Sequence, residues 1–151
     1  MDARRVGLRR QRPRAVALAL IAGALLALGV APARSLACEP HLKGAGVEKL
    51  EGRRYVLAWR AVPPIHVSEF FALEVALCSR DGQPRVATLR VDAQMPEHRH
   101  GMNYRASVRP QGPDRFIAEG LLLHMPGSWE FSFDINAGAD RESLRTRVQV
   151  D

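Results

Sequence analysis

Short runs in which apolar and polar residues alternate occupy most of the chain from about residue 53 onward. Alternation with a period of two is typical of strands that bury one face, and no long stretch has the spacing of an amphipathic helix. In the run Val67–Arg80, for example, Phe71, Leu73 and Val75 share one face. The seven predicted strands are about Arg54–Ala61, Val67–Arg80, Arg85–Asp92, Asn103–Arg109, Arg115–Leu123, Ser128–Asn136 and Leu144–Val150.

Glycine, proline and aspartate signals separate these runs and predict tight turns. Seven short strands in roughly a hundred residues predict an all-β fold, an immunoglobulin-like seven-stranded antiparallel β-sandwich, with a small barrel as the alternative. The sandwich domain is predicted over residues 53–151, and residues 38–52, which contain three glycines, are interpreted as a flexible lead-in. Tyr104 and Trp129 are predicted to be core residues. A chain of 151 residues excludes a two-domain enzyme.

The first 37 residues have the organisation of an export signal. An arginine-rich stretch over residues 4–14 precedes an uncharged, largely apolar run over residues 15–31, and small residues follow. This order is typical of a cleaved signal peptide, whereas 17 apolar residues also reach the lower limit for an N-terminal membrane anchor. Both interpretations stay open, and both predict an extracytoplasmic body in the bacterial periplasm or cell envelope.

The net charge of +6 arises entirely in this leader, which holds seven arginines and one acid. The remaining 114 residues carry 15 basic and 15 acidic residues and are therefore neutral. A neutral body has no net field with which to hold phosphate backbones, so nucleic-acid binding is not expected. Export implies an oxidising compartment, in which Cys38 and Cys78 form either a disulfide or two separate thiols.

The methionines and histidines of the body are concentrated in two short segments. Apart from the initiator, every methionine lies in residues 95–102 or residues 124–127, and so do three of the five histidines. Thioether sulfur is a soft ligand that favours Cu(I), and imidazole binds copper in either oxidation state. The combination predicts a copper site, with Cu(I) favoured, because zinc alone would leave the methionines unexplained.

Strand order brings these segments together. If consecutive strands run antiparallel, the loops at residues 62–66, 93–102 and 124–127 share one end of the sandwich, and both cysteines fall toward the other end. The candidate metal ligands are His66, Met95, His98, His100, Met102, His124 and Met125. Each has an ordinary alternative, because methionines commonly fill gaps at a core rim and short histidine motifs occur in solvated loops.

At these residues the sequence resembles the YtkA-like family of exported β-sandwich domains, which is associated with heavy-metal and especially copper handling. The resemblance covers about residues 53–150 and implies a metal-site role for Met95, His98 and His100, and a weaker one for Met125. The segments that carry it are Tyr55-x-Leu57, Val67–Leu77 with Asp81-Gly82-x-Pro84, Met95-Pro96-x-His98-x-His100-Gly101, and Met125-Pro126-Gly127-x-Trp129-x-Phe131.

Two functions from different classes follow from these observations. The first is an exported copper-binding domain, not an enzyme, that buffers copper or delivers it to a membrane-bound partner such as an oxidase assembly system or an efflux pump. The second is a metal-free immunoglobulin-like interaction module that docks on a membrane complex. A metal-dependent hydrolase would need a carboxylate base, and Glu97 is the one acid inside the motif.

Overall fold

The structure is a computed structural model in which residues 38–80, 83 and 85–151 are described. The predicted signal or anchor segment over residues 1–37 and the Asp81-Gly82 turn lie outside the described residues. All described residues fall in one compact unit, Arg34–Asp151. Within the described ranges, no helix is long and apolar enough to span a bilayer.

Nine antiparallel strands form two sheets in this described part of the chain. The strands are β1 (Glu48–Glu51), β2 (Tyr55–Val62), β3 (Phe70–Ser79), β4 (Thr88–Met95), β5 (His100–Gly101), β6 (Ser107–Pro110), β7 (Arg115–Leu122), β8 (Gly127–Ala137) and β9 (Asp140–Val150). One sheet has the order β1-β2-β3-β7-β6 and the other β5-β4-β8-β9. Two separate sheets make a β-sandwich, so the predicted all-β sandwich is confirmed, with nine strands where the sequence predicted seven.

The alternating runs place their apolar faces between the two sheets. Trp59 of β2 meets Phe131 of β8 at a ring-centroid distance of 5.5 Å, and Phe71 of β3 meets the same ring edge-on at 6.2 Å. Trp129 and Phe133 are also fully buried on the inner face of β8. Each such side chain stabilises the fold by about 1.5–3 kcal/mol through burial, so these rings anchor the core.

The chain visits the two ends of the sandwich alternately. β2 pairs antiparallel with β3, β3 with β7, β4 with β8, and β8 with β9. The segments at residues 62–70, 95–107 and 122–127 therefore lie at one end, which we call the rim, and residues 51–55, 79–80, 83, 85–88, 110–115 and 137–140 lie at the other, which we call the base. This is the arrangement predicted from strand alternation.

Residues 38–52 differ from the predicted flexible lead-in. Cys38 is joined to Cys78 by a disulfide with a Cα–Cα distance of 5.6 Å. Leu42 packs with Ala58 and Ala76 on the outer face of the five-stranded sheet. Glu48–Glu51 then forms β1, which pairs along β2. The sequence of β1 shows no apolar alternation because this edge strand is held by backbone pairing, with only its leucine half-buried.

A carboxylate ties the two sheets together at the base. Glu142 of β9 accepts hydrogen bonds from the backbone amides of Arg53 at 2.7 Å, Arg54 at 3.0 Å and Tyr55 at 3.0 Å. Gly52 lies directly beside it, where a Cβ atom would come within 2.8 Å of the Glu142 carboxylate. Charge-assisted bonds of this kind are stronger than neutral ones, so this carboxylate clamps the β1–β2 turn to β9.

Candidate metal centre

The β4–β5 hairpin at the rim presents two histidines in different environments. Met95 of β4 pairs directly with His100 of β5, and directly opposed residues have side chains on the same face of a sheet. His100 therefore faces inward with Met95 and is half-buried. The intervening turn is closed by hydrogen bonds from the His98 amide to the Met95 carbonyl at 3.1 Å and from the Arg99 amide to the Pro96 carbonyl at 3.3 Å. The side chain of His98, in this turn, is exposed.

The connection between β7 and β8 supplies the third histidine. His124 follows the buried Leu123 and is itself half-buried. The indole N–H of Trp129 donates a hydrogen bond to the Met125 carbonyl at 3.0 Å, which holds this turn over the end of the core. Gly127 has a φ of +124°, a conformation that residues with a side chain rarely adopt, and it lets the chain turn directly into β8.

The three imidazole rings form a row that runs from the surface to a tryptophan. Ring centroids are 5.8 Å apart between His98 and His100, and 5.0 Å apart between His100 and His124. The two inner rings contact Trp129 edge-on, at 5.6 Å for His100 and 5.5 Å for His124. The predicted convergence of these three histidines at one end of the sandwich is therefore present.

Two nitrogen atoms in this row are buried without any hydrogen-bond partner in the protein: Nε2 of His100 and Nδ1 of His124. The other ring nitrogen of His100, Nδ1, lies 3.3 Å from the carbonyl oxygen of Gly101. Because a carbonyl only accepts, the tautomer of the neutral imidazole that makes this hydrogen bond carries its proton on Nδ1 and has its lone pair on Nε2. Metal-binding histidines typically donate their second N–H to a carbonyl or carboxylate in this way.

The methionines occupy different depths at this end. Met102 and Met125 are half-buried and pack against the edge of the core. Met95 is only 2% exposed and belongs to the core itself, with its methyl group beneath Gly127. A Cβ atom on Gly127 would come within 2.6 Å of the Met95 methyl carbon. Of the three methionine candidates, Met102 and Met125 thus have partial access to the surface, and Met95 serves the packing.

His66 lies in the 62–70 segment of the rim, as predicted, and its side chain is exposed. The Ser68 amide ties this segment to the Leu123 carbonyl at 2.8 Å. Among the ring contacts of the described chain, the His66 imidazole takes part in none. Tyr104 is not the core residue that its strand-like context predicted: it is 52% exposed and contacts Phe70, which is 59% exposed, at a centroid distance of 5.5 Å.

The donor set at the rim suits a metal ion bound by two imidazoles. Two imidazoles that share an ion through bonds of about 2 Å have ring centroids roughly 5 to 6 Å apart, as His100 and His124 do. Across residues 38–80, 83 and 85–151, no group of three His, Cys, Asp or Glu side chains is arranged to hold a metal ion. The half-buried His100 and His124 therefore have the ring spacing of a shared ion, whereas His98 is exposed.

Comparisons with known proteins leave the family open. Neither a scan against models of protein families nor a search of curated proteins finds a match. Among solved structures, the chain is similar to a DUF4426 family protein from Pseudomonas aeruginosa PAO1, with 11% identity and a TM-score of 0.46. That likeness covers 70% of this chain and 97% of the other. At this level it carries no argument about family or function, and the resemblance to YtkA-like domains stays a hypothesis.

Two features of the site escaped the sequence analysis. Trp129 was predicted as a core residue, which it is, but its ring also forms the floor beneath His100 and His124. The Gly101 carbonyl that orients His100 comes from the two-residue strand β5, which is too short to produce a pattern. His100 and Trp129 belong to separate sequence motifs, and their rings come into contact only through the register of the strands.

Proposed function

We propose that this chain is an exported copper-binding domain that buffers copper or passes it to a membrane-bound protein, such as an oxidase assembly or efflux system. The observation that carries the proposal is the pair of buried, unpartnered nitrogens on His100 and His124, whose rings lie 5.0 Å apart. Leaving such a polar atom buried without a partner costs about 1–3 kcal/mol, a cost that a bound ion would remove. The YtkA-like resemblance, at the same segments, points to the same metal.

Copper, as Cu(I), suits this donor set better than the other common metals. Met102 and Met125 are half-buried and follow His100 and His124 by two residues and one residue in the chain, and thioether sulfur selects soft Cu(I) over harder ions. A site that combines two histidines with one or two thioethers at an open rim can exchange its ion by stepwise ligand replacement. Such a role needs no chemistry beyond binding, so the proposal includes no enzymatic activity.

The proposed location in the periplasm or cell envelope has support from the base of the sandwich. Cys38 and Cys78 form a disulfide there. Disulfides persist in oxidising compartments and are rare in cytosolic proteins. The body carries no net charge, which disfavours nucleic acid as a partner. In this proposal the sandwich itself is soluble, and it is attached to a membrane only if the leader is retained.

An anaerobic competition titration tests the copper proposal directly. The full chain is titrated with Cu(I) against bicinchoninate, and the same measurement is made on a His100→Ala/His124→Ala variant. We expect the variant to lose at least about 100-fold in affinity, because two of the few donors are removed. His41→Ala, an exposed histidine of the segment held at the base by the disulfide, is the matched control. Equal affinity of the double variant and the parent would end the proposal.

The contribution of the thioethers is tested separately. Replacing Met102 and Met125 by leucine nearly conserves side-chain volume and removes the sulfur atoms. We expect Cu(I) affinity to fall by at least about tenfold while the affinity for Cu(II) changes much less, because only Cu(I) prefers soft ligands. If both oxidation states lose the same factor, the methionines act through packing and not as ligands.

A second candidate function, a metal-free interaction module, is favoured by one observation. Phe70 and Tyr104 contact each other at the rim and are both more than half exposed. Exposed aromatic residues are enriched where proteins bind proteins. In that case, metal-free protein would be retained by membranes of its own cell, a Phe70→Ser/Tyr104→Ser variant would not, and copper chelation would change neither result.

A further inference from the structure

The outermost of the three histidines at the rim is more exposed than the other two. His98 is exposed, whereas His100 and His124 are half-buried and each has one fully buried, unpartnered nitrogen. The ring of His98 lies 5.8 Å from that of His100, which is the outer of the two inner rings. An ion that passed from solvent to the inner pair along this row would meet His98 first.

The hairpin holds His98 at this outer position through its own backbone. The turn at residues 96–99 is closed by two backbone hydrogen bonds, and Arg99 has a φ of +57°. These bonds do not depend on the inner histidines, so the imidazole of His98 stays at the mouth of the site whether or not the inner pair binds an ion. Its side chain is exposed, and its ring meets the ring of His100 at an interplanar angle of 61°.

We propose that His98 is the transfer ligand of this site: it takes copper from a donor molecule and hands it to His100 and His124, and it receives the ion again on release. This inference rests on the proposed function. It is supported by the row of rings, in which the exposed His98 contacts His100 and His100 contacts His124. The copper affinity is then set by the inner pair, and the rate of exchange by the outer residue.

This division of roles has a kinetic consequence. A ligand that is engaged only during transfer lowers the barrier for uptake and release equally, because both directions use the same path. Removing it slows both rates by a common factor and leaves the dissociation constant, their ratio, unchanged. Removing an inner ligand instead raises the dissociation constant, mainly through faster release.

The test compares rates and affinities in the full chain. Uptake is followed by stopped flow with the Cu(I)–bicinchoninate complex as donor, and release with excess bicinchoninate, using the absorbance of that complex. For His98→Ala we expect both rates to fall by about tenfold or more while the dissociation constant changes by less than about threefold. His98→Met, which restores a soft ligand at the same position, should recover most of both rates. His41→Ala again serves as the unchanged control.

A second readout uses chemical modification of histidine by diethyl pyrocarbonate, followed by mass spectrometry. In metal-free protein His98 should react fastest, because it is the exposed ring, and saturating copper should protect His100 and His124 but not His98. Two results overturn the inference: a His98→Ala variant that loses affinity as strongly as His100→Ala, or one that keeps both rates and affinity. Absence of copper binding by the parent protein would instead refute the proposed function.

Discussion

Removing the disulfide at the base should destabilise the fold strongly without affecting the rim. The perturbation is a Cys38→Ser/Cys78→Ser double variant, which leaves no unpaired thiol. In the parent protein the bond closes a loop with a sequence separation of 40. It also holds the segment that places Leu42 over Ala58 and Ala76 on the outer face of the five-stranded sheet.

The expected loss follows from the entropy of closing that loop in the unfolded chain. For a loop of this length, the chain-entropy relation gives about 4 kcal/mol of stabilisation at 25 °C. Small domains have a total free energy of unfolding of about 5–15 kcal/mol, so the loss would be a large part of the whole. Strand β1 and the clamp at Glu142 remain in the variant, so we expect it to fold, with a lower urea midpoint.

Urea unfolding of both proteins, followed by tryptophan fluorescence, measures the difference, with the parent protein in dithiothreitol as an independent comparison. Copper affinity, measured by the bicinchoninate titration under conditions where both are folded, should agree within about twofold, because the bond and the histidines lie at opposite ends. A loss of less than about 1 kcal/mol in the free energy of unfolding would refute the loop-closure calculation. A large change in copper affinity would refute the independence of the two ends.

Three further changes test other parts of the fold. Glu142→Gln should cost about 1–2 kcal/mol in a urea titration, because a neutral amide replaces the charged acceptor of three backbone amides; a loss below about 0.5 kcal/mol would contradict this. Burial, and secondly the charge of Asp140, raise the pKa of Tyr55 above its usual value of 10.0. As the pH rises, the Tyr55 hydroxyl therefore loses its proton in the unfolded chain before it does so in the folded protein. The free energy of unfolding should be unaffected below about pH 10 and fall above it by at most about 1.4 kcal/mol per pH unit. Tyr55→Phe should abolish this slope. Gly127→Ala should lower the free energy of unfolding by about 2–4 kcal/mol, because alanine is strained at this positive φ and its Cβ atom would press on the Met95 methyl group. In a double-mutant cycle with Met95→Ala the two losses should not add, and additive losses would exclude the contact.

Apolar alternation was a sufficient guide to most of the sandwich but not to its edges. It located the central strands because their inner faces are buried between two sheets, as in β8 around Phe131. β1 and β5 were missed because an edge strand can be held by backbone hydrogen bonds alone, which leave no mark on side-chain pattern. Tyr104 was misplaced because a strand was predicted from Asn103, whereas β6 begins at Ser107; Tyr104 therefore lies before the strand on an exposed segment and packs on Phe70.

The position of the candidate site could be predicted further than its details. Strand alternation alone placed the motif loops at one end, because antiparallel neighbours must reverse direction. It did not distinguish Met95 from Met102, although they flank the same hairpin. Met95 is the last residue of β4, pairs with His100 and is buried in the core. Met102 follows β5 and is half-buried at the rim. How deeply each methionine is buried depends on strand register, which cannot be predicted from sequence spacing.

The two ends of the sandwich are built for different demands. The base combines a disulfide with a carboxylate that accepts three backbone amides, and these two links fasten the first segment and both sheets. The described segments of the rim have neither a disulfide nor such a carboxylate: their turns are held by one or two hydrogen bonds each and by the contacts of Trp129 with two imidazoles. In the proposed function, exchange of the ion requires side chains to move without opening the core. In the proposed site, His98 and the thioethers would change partners at the surface while Trp129, from the core, keeps the inner histidines in place.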